Sequence, residues 1–174
     1  MSKDNTTKES ILSNAKQLFG QYGFASTSTQ MIAEAVGIKK PSLYYFFKNK
    51  EAIYIHLLEK AIAEVQELFE GEQYSKLSFE ERLVILFKFS KDNGSFIFSV
   101  HTLTPKNLKH VMEISESMAS VMLKYLKTQK TKCSSKDALT IIFDITQNYA
   151  RRAAQQEKIM SPKRYAQLLI QLLS

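Results

Sequence analysis

Three features of the sequence predict an all-helical fold. Breakers are scarce, with five Gly and three Pro among 174 residues. Apolar residues recur at three- and four-residue spacing through most of the chain, the period of an amphipathic helix. Helix-start signals, a Ser or Thr ahead of an apolar run, stand before several of these segments. An apolar fraction of 44% with 24% charged residues belongs to globular chains that can bury a core. No run approaches the ~18 apolar residues of a membrane span, and the polar start, Met1 to Glu9, has no signal-peptide core. One cysteine cannot form an internal disulfide and suits a reducing cytoplasm, the expected location. Membrane, secreted-scaffold and fibrous classes are excluded on these grounds.

In order along the chain, Thr6-Thr7-Lys8-Glu9 reads as a capping box. Ile11, Leu12, Ala15, Leu18, Phe19 and Tyr22 then form one apolar stripe, and Gly23 stands where a left-handed residue ends the helix. A second box, Thr27-Ser28-Thr29-Gln30, opens a short helix that stops at Gly37, with Gln30 read as its third position. Pro41 marks the first turn of a third helix, Lys40 to Phe47. Residues 28–47 therefore read as helix, Gly-containing turn, helix, which is the spacing of a helix-turn-helix.

Charge supports that reading. The net charge is +7, and residues 1–50 carry seven Lys against three acids, whereas residues 51–174 carry seventeen basic against fourteen acidic residues. A basic segment of this kind is the electrostatic footprint of a polyanion partner. The second helix of such a motif presents its first residues to base edges in the major groove. Its candidates are Lys40, Pro41 and Ser42, with Lys39, Tyr44, Tyr45, Lys48 and Lys50 around them able to meet phosphates. Tyr44 and Tyr45 cannot both be core, because consecutive helical positions lie ~100° apart.

The ordered set Phe19, Gly23-Phe24, Thr27-Ser28, Ile32-Ala33-Glu34-Ala35, Gly37-Ile38, Lys40, Ser42-Leu43-Tyr44-Tyr45, Phe47 and Lys50-Glu51 resembles the TetR family of bacterial transcriptional repressors. The likeness spans about residues 8–55. It implies an all-helical homodimer, an N-terminal three-helix helix-turn-helix domain over residues 1–50, and a C-terminal ligand-binding and dimerisation domain over 51–174. Carried over by position, Thr27 and Ser28 match the N-cap and phosphate contacts, and Gln30 matches a groove contact on the second helix. Lys40, Pro41 and Ser42 match the base-reading turn, Tyr44 and Lys48 the phosphate pair, and Lys50 a further backbone contact. Pro41 departs from the usual Gly, so an operator sequence cannot be borrowed from relatives.

Beyond residue 50, helices are predicted from Asn49 to about Glu70 and from Phe79 to about Asn93. Asn93-Gly94 reads as a turn and Phe96–Val100 as a helix. Further helices follow from Thr104-Pro105, from Lys136 to about Lys158, and from Ser161-Pro162 to the end. The long helix after Asn49 joins the two domains in the family and would carry a ligand's signal. The last two helices are apolar beyond one stripe, which calls for a second partner. The family's answer is a four-helix dimer interface, with Leu139, Phe143, Tyr149, Ala150, Leu168, Leu169 and Leu172 as its candidates. Phe87, Phe96, Phe98, Met112, Met118, Met122, Tyr125 and Phe143 are candidates for an adaptable apolar effector pocket.

Catalytic chemistry has no foothold. His56, His101 and His110 fall on separate segments, and no metal-ligand spacing, Walker loop or GxSxG is present. No metal, cofactor or enzymatic activity is expected. Cys133 in its Lys-flanked loop is an ordinary surface thiol or a redox-sensing one. The sequence thus points to a repressor that binds a palindromic operator as a homodimer and leaves it when a small effector binds. A helical protein–protein or co-regulator module without an effector is the alternative.

Overall fold

The computed structural model describes residues 3–97 and 103–174, and among them it places eight α-helices and no strand. They are α1 (Lys3–Ser26), α2 (Thr29–Val36), α3 (Lys40–Phe46), α4 (Lys50–Glu70), α5 (Phe79–Ile97), α6 (Pro105–Leu126), α7 (Ser135–Ala154) and α8 (Pro162–Leu173), with a 3₁₀ turn over Glu72–Tyr74. No helix is long and apolar enough to cross a membrane among the described residues. The chain divides into two compact units. One is residues 1–60 with 95–111, and the other is residues 61–94 with 112–174. The first unit thus takes in the start of α4 and the start of α6 as well as the first fifty residues.

In the first unit α1 buries Ile11, Leu12, Ala15 and Phe19 on one face, the stripe read from the sequence. The helix is already formed at Lys3, so Thr6 lies inside it and is not its cap. Gly23 breaks the regular helix at φ 78°, ψ 162°, a conformation L residues other than Gly avoid. Beyond that break Phe24 turns back into the core. Its ring packs 5.5 Å from Phe19 and 4.9 Å from Tyr54 of α4, and Tyr54 lies 5.5 Å from Phe19. This aromatic trio ties the ends of α1 to α4, with Ile32, Ala33, Leu43, Phe47 and Ile53 buried beside it.

The second unit is built on Leu68, Phe69, Leu83, Leu86, Phe87, Met122, Leu126, Ile142, Tyr149 and Leu169. The N-terminal cap of α5 at Ser78 is reciprocal, with the Glu81 N–H donating to Ser78 Oγ at 3.3 Å. The Ser78 backbone N–H and hydroxyl donate to Glu81 Oε2 at 2.8 and 2.7 Å. Arg82, buried to 4% exposure, spends its guanidinium on backbone carbonyls: Leu68, Tyr74 (2.6 Å) and Leu77 (3.4 Å). It also lies 4.8 Å from the Tyr125 ring centroid. A carbonyl left over where α4 ends thereby finds a charged donor.

Two boundaries differ from expectation. α5 runs through Asn93-Gly94 to Ile97 with no turn, because Asn93 is buried and bonds back to Phe89 O at 2.8 Å. Phe98 to Val100 lie outside the described residues. α7 ends at Ala154, four residues early, in a left-handed cap at Gln156 (φ 56°). There the Gln156 and Glu157 N–H groups donate to Ala153 O and Arg152 O, each at 3.1 Å.

Candidate DNA-binding surface

Local capping explains why α2 and α3 stand where they do. Ser28 is the N-cap of α2, and its hydroxyl accepts the Met31 N–H at 3.1 Å. The third helical residue is therefore Met31. Gln30 sits at the second position and donates to Glu34 Oε1 at 2.7 Å instead of closing a capping box. At the other end Gly37 (φ 74°, ψ 28°) and Ile38 donate to Glu34 O and Ala33 O at 3.0 and 2.9 Å, the paired bonds of a left-handed helix stop. α3 starts at Lys40 with Pro41 in its first turn, and no side chain caps it. Leu43 and Phe47 anchor it inward, while Tyr44 and Tyr45 are 44% and 76% exposed.

The result is an exposed strip running from Ser28 and Gln30 on α2 to Lys39, Lys40, Pro41, Ser42, Tyr44, Tyr45 and Lys48 on and around α3. The two helices are joined across the strip, with the Tyr44 hydroxyl 3.3 Å from Thr29 Oγ1. Lys40 Nζ lies 6.0 Å from the Tyr44 ring centroid. Eight of these nine residues, all but Pro41, carry a side-chain ammonium, hydroxyl or amide group able to donate a hydrogen bond. No acidic residue occurs between Glu34 and Glu51. Donors of these types suit phosphate oxygens and base edges.

Two predicted contacts belong elsewhere. Thr27 is 1% exposed, and its hydroxyl donates towards Gly23 O (2.8 Å) and Leu18 O (3.2 Å), so it closes the end of α1 rather than meeting a phosphate. Lys50 points its ammonium into the carbonyls of Phe24, Thr27 and Ala25 at 2.6, 2.7 and 3.2 Å, and over the Phe24 ring at 4.4 Å. Burial lowers its pKa from the usual lysine value. Nothing in the residue types signalled either role, since both depend on carbonyls presented by the break at Gly23.

The C-terminal candidates divide. Phe143, Leu168 and Leu172 are exposed at 45%, 37% and 58% on α7 and α8, and Leu139 is half-buried. Tyr149, Ala150 and Leu169 instead face their own core, at 1%, 4% and 2%. Among the pocket candidates Phe87 is buried against Tyr149 and Tyr165, with ring centroids 5.2 and 5.4 Å away. Met122 is buried and Met118 half-buried, and Tyr125 packs on Phe69 and Phe79 at 5.4 and 5.9 Å. Met112 is 55% exposed, which removes it from any interior lining, as exposure does Phe143. Phe98 and the side chain of Phe96 lie outside the described residues. A half-open groove of about 260 Å³ does lie along α7 and α8, but it is lined by Ile145, Asn148, Tyr149, Arg152, Tyr165, Leu168, Leu169 and Leu172, none of them pocket candidates. The Tyr149 hydroxyl is buried without a hydrogen-bond partner, and burial raises its pKa, with Tyr165 and Asp92 adding to the effect. Cys133 is half-buried and unpaired by any disulfide. No group of three or more His, Cys, Asp or Glu is placed to hold a metal ion among the described residues.

A capped helix, a left-handed glycine stop and a short second helix with an exposed basic and aromatic strip define a helix-turn-helix regulator. Residues 11–57 match the model of the bacterial regulatory proteins of the tetR family. That segment of the chain is the DNA-binding segment shared by TetR-family transcriptional regulators. Over 159 residues the chain is 26% identical to IcaR of Staphylococcus epidermidis, a helix-turn-helix negative transcriptional regulator of the biofilm operon icaADBC, covering 87% of this chain and 86% of that one. Its fold is similar to that of a tetR-family regulatory protein from Rhodococcus RHA1, with TM-score 0.76 and 16% identity over 100% of this chain and 98% of the other. It is similar as well to the transcriptional regulator FadR from Bacillus subtilis, solved in complex with stearoyl-CoA, with TM-score 0.74 and 16% identity over 95% and 97% of the two chains.

Proposed function

We propose that the protein is a repressor that binds a palindromic operator as a homodimer and is released by a small effector. The observation that carries this reading is the exposed strip on α2 and α3, where Ser28, Gln30, Lys40, Ser42, Tyr44 and Lys48 stand on one short motif. Gln30, Pro41 and Ser42 are assigned to the bases. Lys39, Lys40, Tyr44, Tyr45, Lys48 and the Ser28 cap are assigned to phosphates. The negative regulator IcaR, similar over most of its length, supports repression as the direction of control.

Association is assigned to the exposed apolar strip Phe143, Leu168 and Leu172 and the groove beside it, which a second copy would cover. A two-fold pair of motifs reads half-sites about 34–36 Å apart or a multiple of that. The effector is assigned to the second unit, where Phe87, Met118, Met122 and Tyr125 gather and methionine can repack around a guest. Its binding would favour a state whose two α3 helices no longer match the half-sites.

The test is fluorescence anisotropy on the DNA upstream of the chain's own gene, beside a scrambled duplex of equal length. Specific binding tighter by a factor near 10³ is expected. Equal weak binding to both duplexes would remove the operator reading.

A further inference from the structure

Lys50 and Glu51 are neighbours in the first turn of α4, and they engage different parts of the first unit. The three protons of the Lys50 ammonium are matched by the three carbonyls of Phe24, Ala25 and Thr27. Those carbonyls lie between the Gly23 break and the Ser28 cap, at the corner that leads from α1 into α2. Glu51 turns instead to α6. Its Oε1 accepts both the backbone N–H and the hydroxyl of Thr104, at 2.7 and 2.9 Å, just ahead of Pro105 where α6 opens. Two turns further along α4, Glu59 Oε1 meets His110 Nε2 of α6 at 2.8 Å, which holds the same two helices in parallel contact with the Glu51 bond.

We propose that Lys50 and Glu51 are paired positioning residues: Lys50 sets the α1–α2 corner on α4, and Glu51 sets the first turn of α6 on that same helical turn. The α2 end of the recognition motif and the start of α6 are then held by one turn of backbone. A shift of either is felt by the other, and the coupling is reciprocal. Lys50 would serve operator binding without touching a phosphate, because its three donors are already taken within the protein. The DNA readout below rests on the operator-binding reading.

Two variants of the full chain test this. Lys50→Met keeps the apolar stem, and Glu51→Gln keeps the shape while weakening the acceptor. In hydrogen exchange followed by mass spectrometry, Lys50→Met should speed exchange in peptides covering residues 24–32 about tenfold, as the loss of charged hydrogen bonds implies. Glu51→Gln should do the same for residues 104–110, and each variant should also loosen the other's peptides. Local loosening without the cross-effect, or no loosening, overturns the proposal. On DNA, Lys50→Met should lower operator affinity about tenfold while leaving scrambled-duplex affinity and the slope of log affinity against log salt unchanged. Lys48→Ala should weaken both duplexes and flatten that slope by about 0.9. A flattened slope for Lys50→Met would make Lys50 a phosphate contact. A lower melting temperature with an unchanged specific-to-scrambled ratio would make its role merely structural. If the wild-type protein fails to separate the duplexes, the operator reading falls, and the exchange arm alone decides whether the pair couples the corner to α6.

Discussion

Arg82 offers a prediction whose size follows from the structure. Its guanidinium is buried at 4% exposure and lies on the Leu68, Tyr74 and Leu77 carbonyls and the Tyr125 ring. Arg82→Met keeps most of the stem's apolar contact and deletes every donor. The Tyr74 carbonyl retains the Leu77 N–H at 3.0 Å, so the main orphan is Leu68 O at the end of α4. A hydrogen bond to a charged group contributes roughly 1.5–3 kcal/mol, and a stranded buried carbonyl costs about 1–3 kcal/mol. The lost cation–π contact adds about 0.5–2 kcal/mol. Relief of the guanidinium's own desolvation offsets part of this, as it does when buried charges are replaced. The net loss expected is therefore about 3 kcal/mol, or a melting point lower by roughly 6–12 °C for a chain of this size. Urea titration followed by far-ultraviolet circular dichroism would measure it as a lower midpoint at constant slope. A loss under about 1 kcal/mol would refute the reasoning, because it would mean water reaches these carbonyls as readily as the arginine does.

Further outcomes are expected at the proposed surfaces. Ser42→Ala and Gln30→Ala should alter which bases are preferred, measured by binding to single-substituted operators, with about 1–3 kcal/mol at the affected position. Leu172→Asp, at a residue 58% exposed, should leave the melting point nearly unchanged and convert the proposed dimer to monomer in sedimentation velocity. A dimer that persists would move the interface elsewhere. Burial opposes ionisation of Glu51, but bonds from Asn107 and Thr104 outweigh it and hold the carboxyl below its ordinary value of 4.5. A depressed folded-state pKa contributes stability that is full above the unfolded value and is lost as pH falls through the folded one. Melting curves across that acid range should therefore converge for wild type and Glu51→Gln as pH drops, and a constant gap between them would contradict the assignment.

Much of the motif was legible because its signals are local. Gly37 at the stop and Pro41 in a first turn each act within a few residues of backbone, and the Thr/Ser run ahead of the apolar residues marks the start of α2 to within one residue, the cap being Ser28 rather than Thr27. Helical period says that Tyr44 and Tyr45 cannot both be core, and packing leaves both of them exposed. The signals that misled were local as well. Asn93-Gly94 has turn chemistry, yet burial of Asn93 and its bond to Phe89 O keep α5 helical. Gln156 holds a left-handed cap that sequence seldom advertises without Gly or Asn.

By itself the sequence determined the helical class, the placement of α2 and α3, and the basic strip between them, because caps, period and charge are properties of adjacent residues. Tertiary structure alone decided what Thr27, Lys50, Glu51 and Arg82 do. Their partners are carbonyls and hydroxyls exposed by helix ends elsewhere in the chain, as far off as 26 residues for Lys50 and Phe24 and 53 for Glu51 and Thr104. It also divided α7 and α8 into an inward face with Tyr149 and Leu169 and an outward face with Phe143 and Leu172. An apolar residue's type records that it prefers burial, but only the packed neighbours determine whether its own core supplies it.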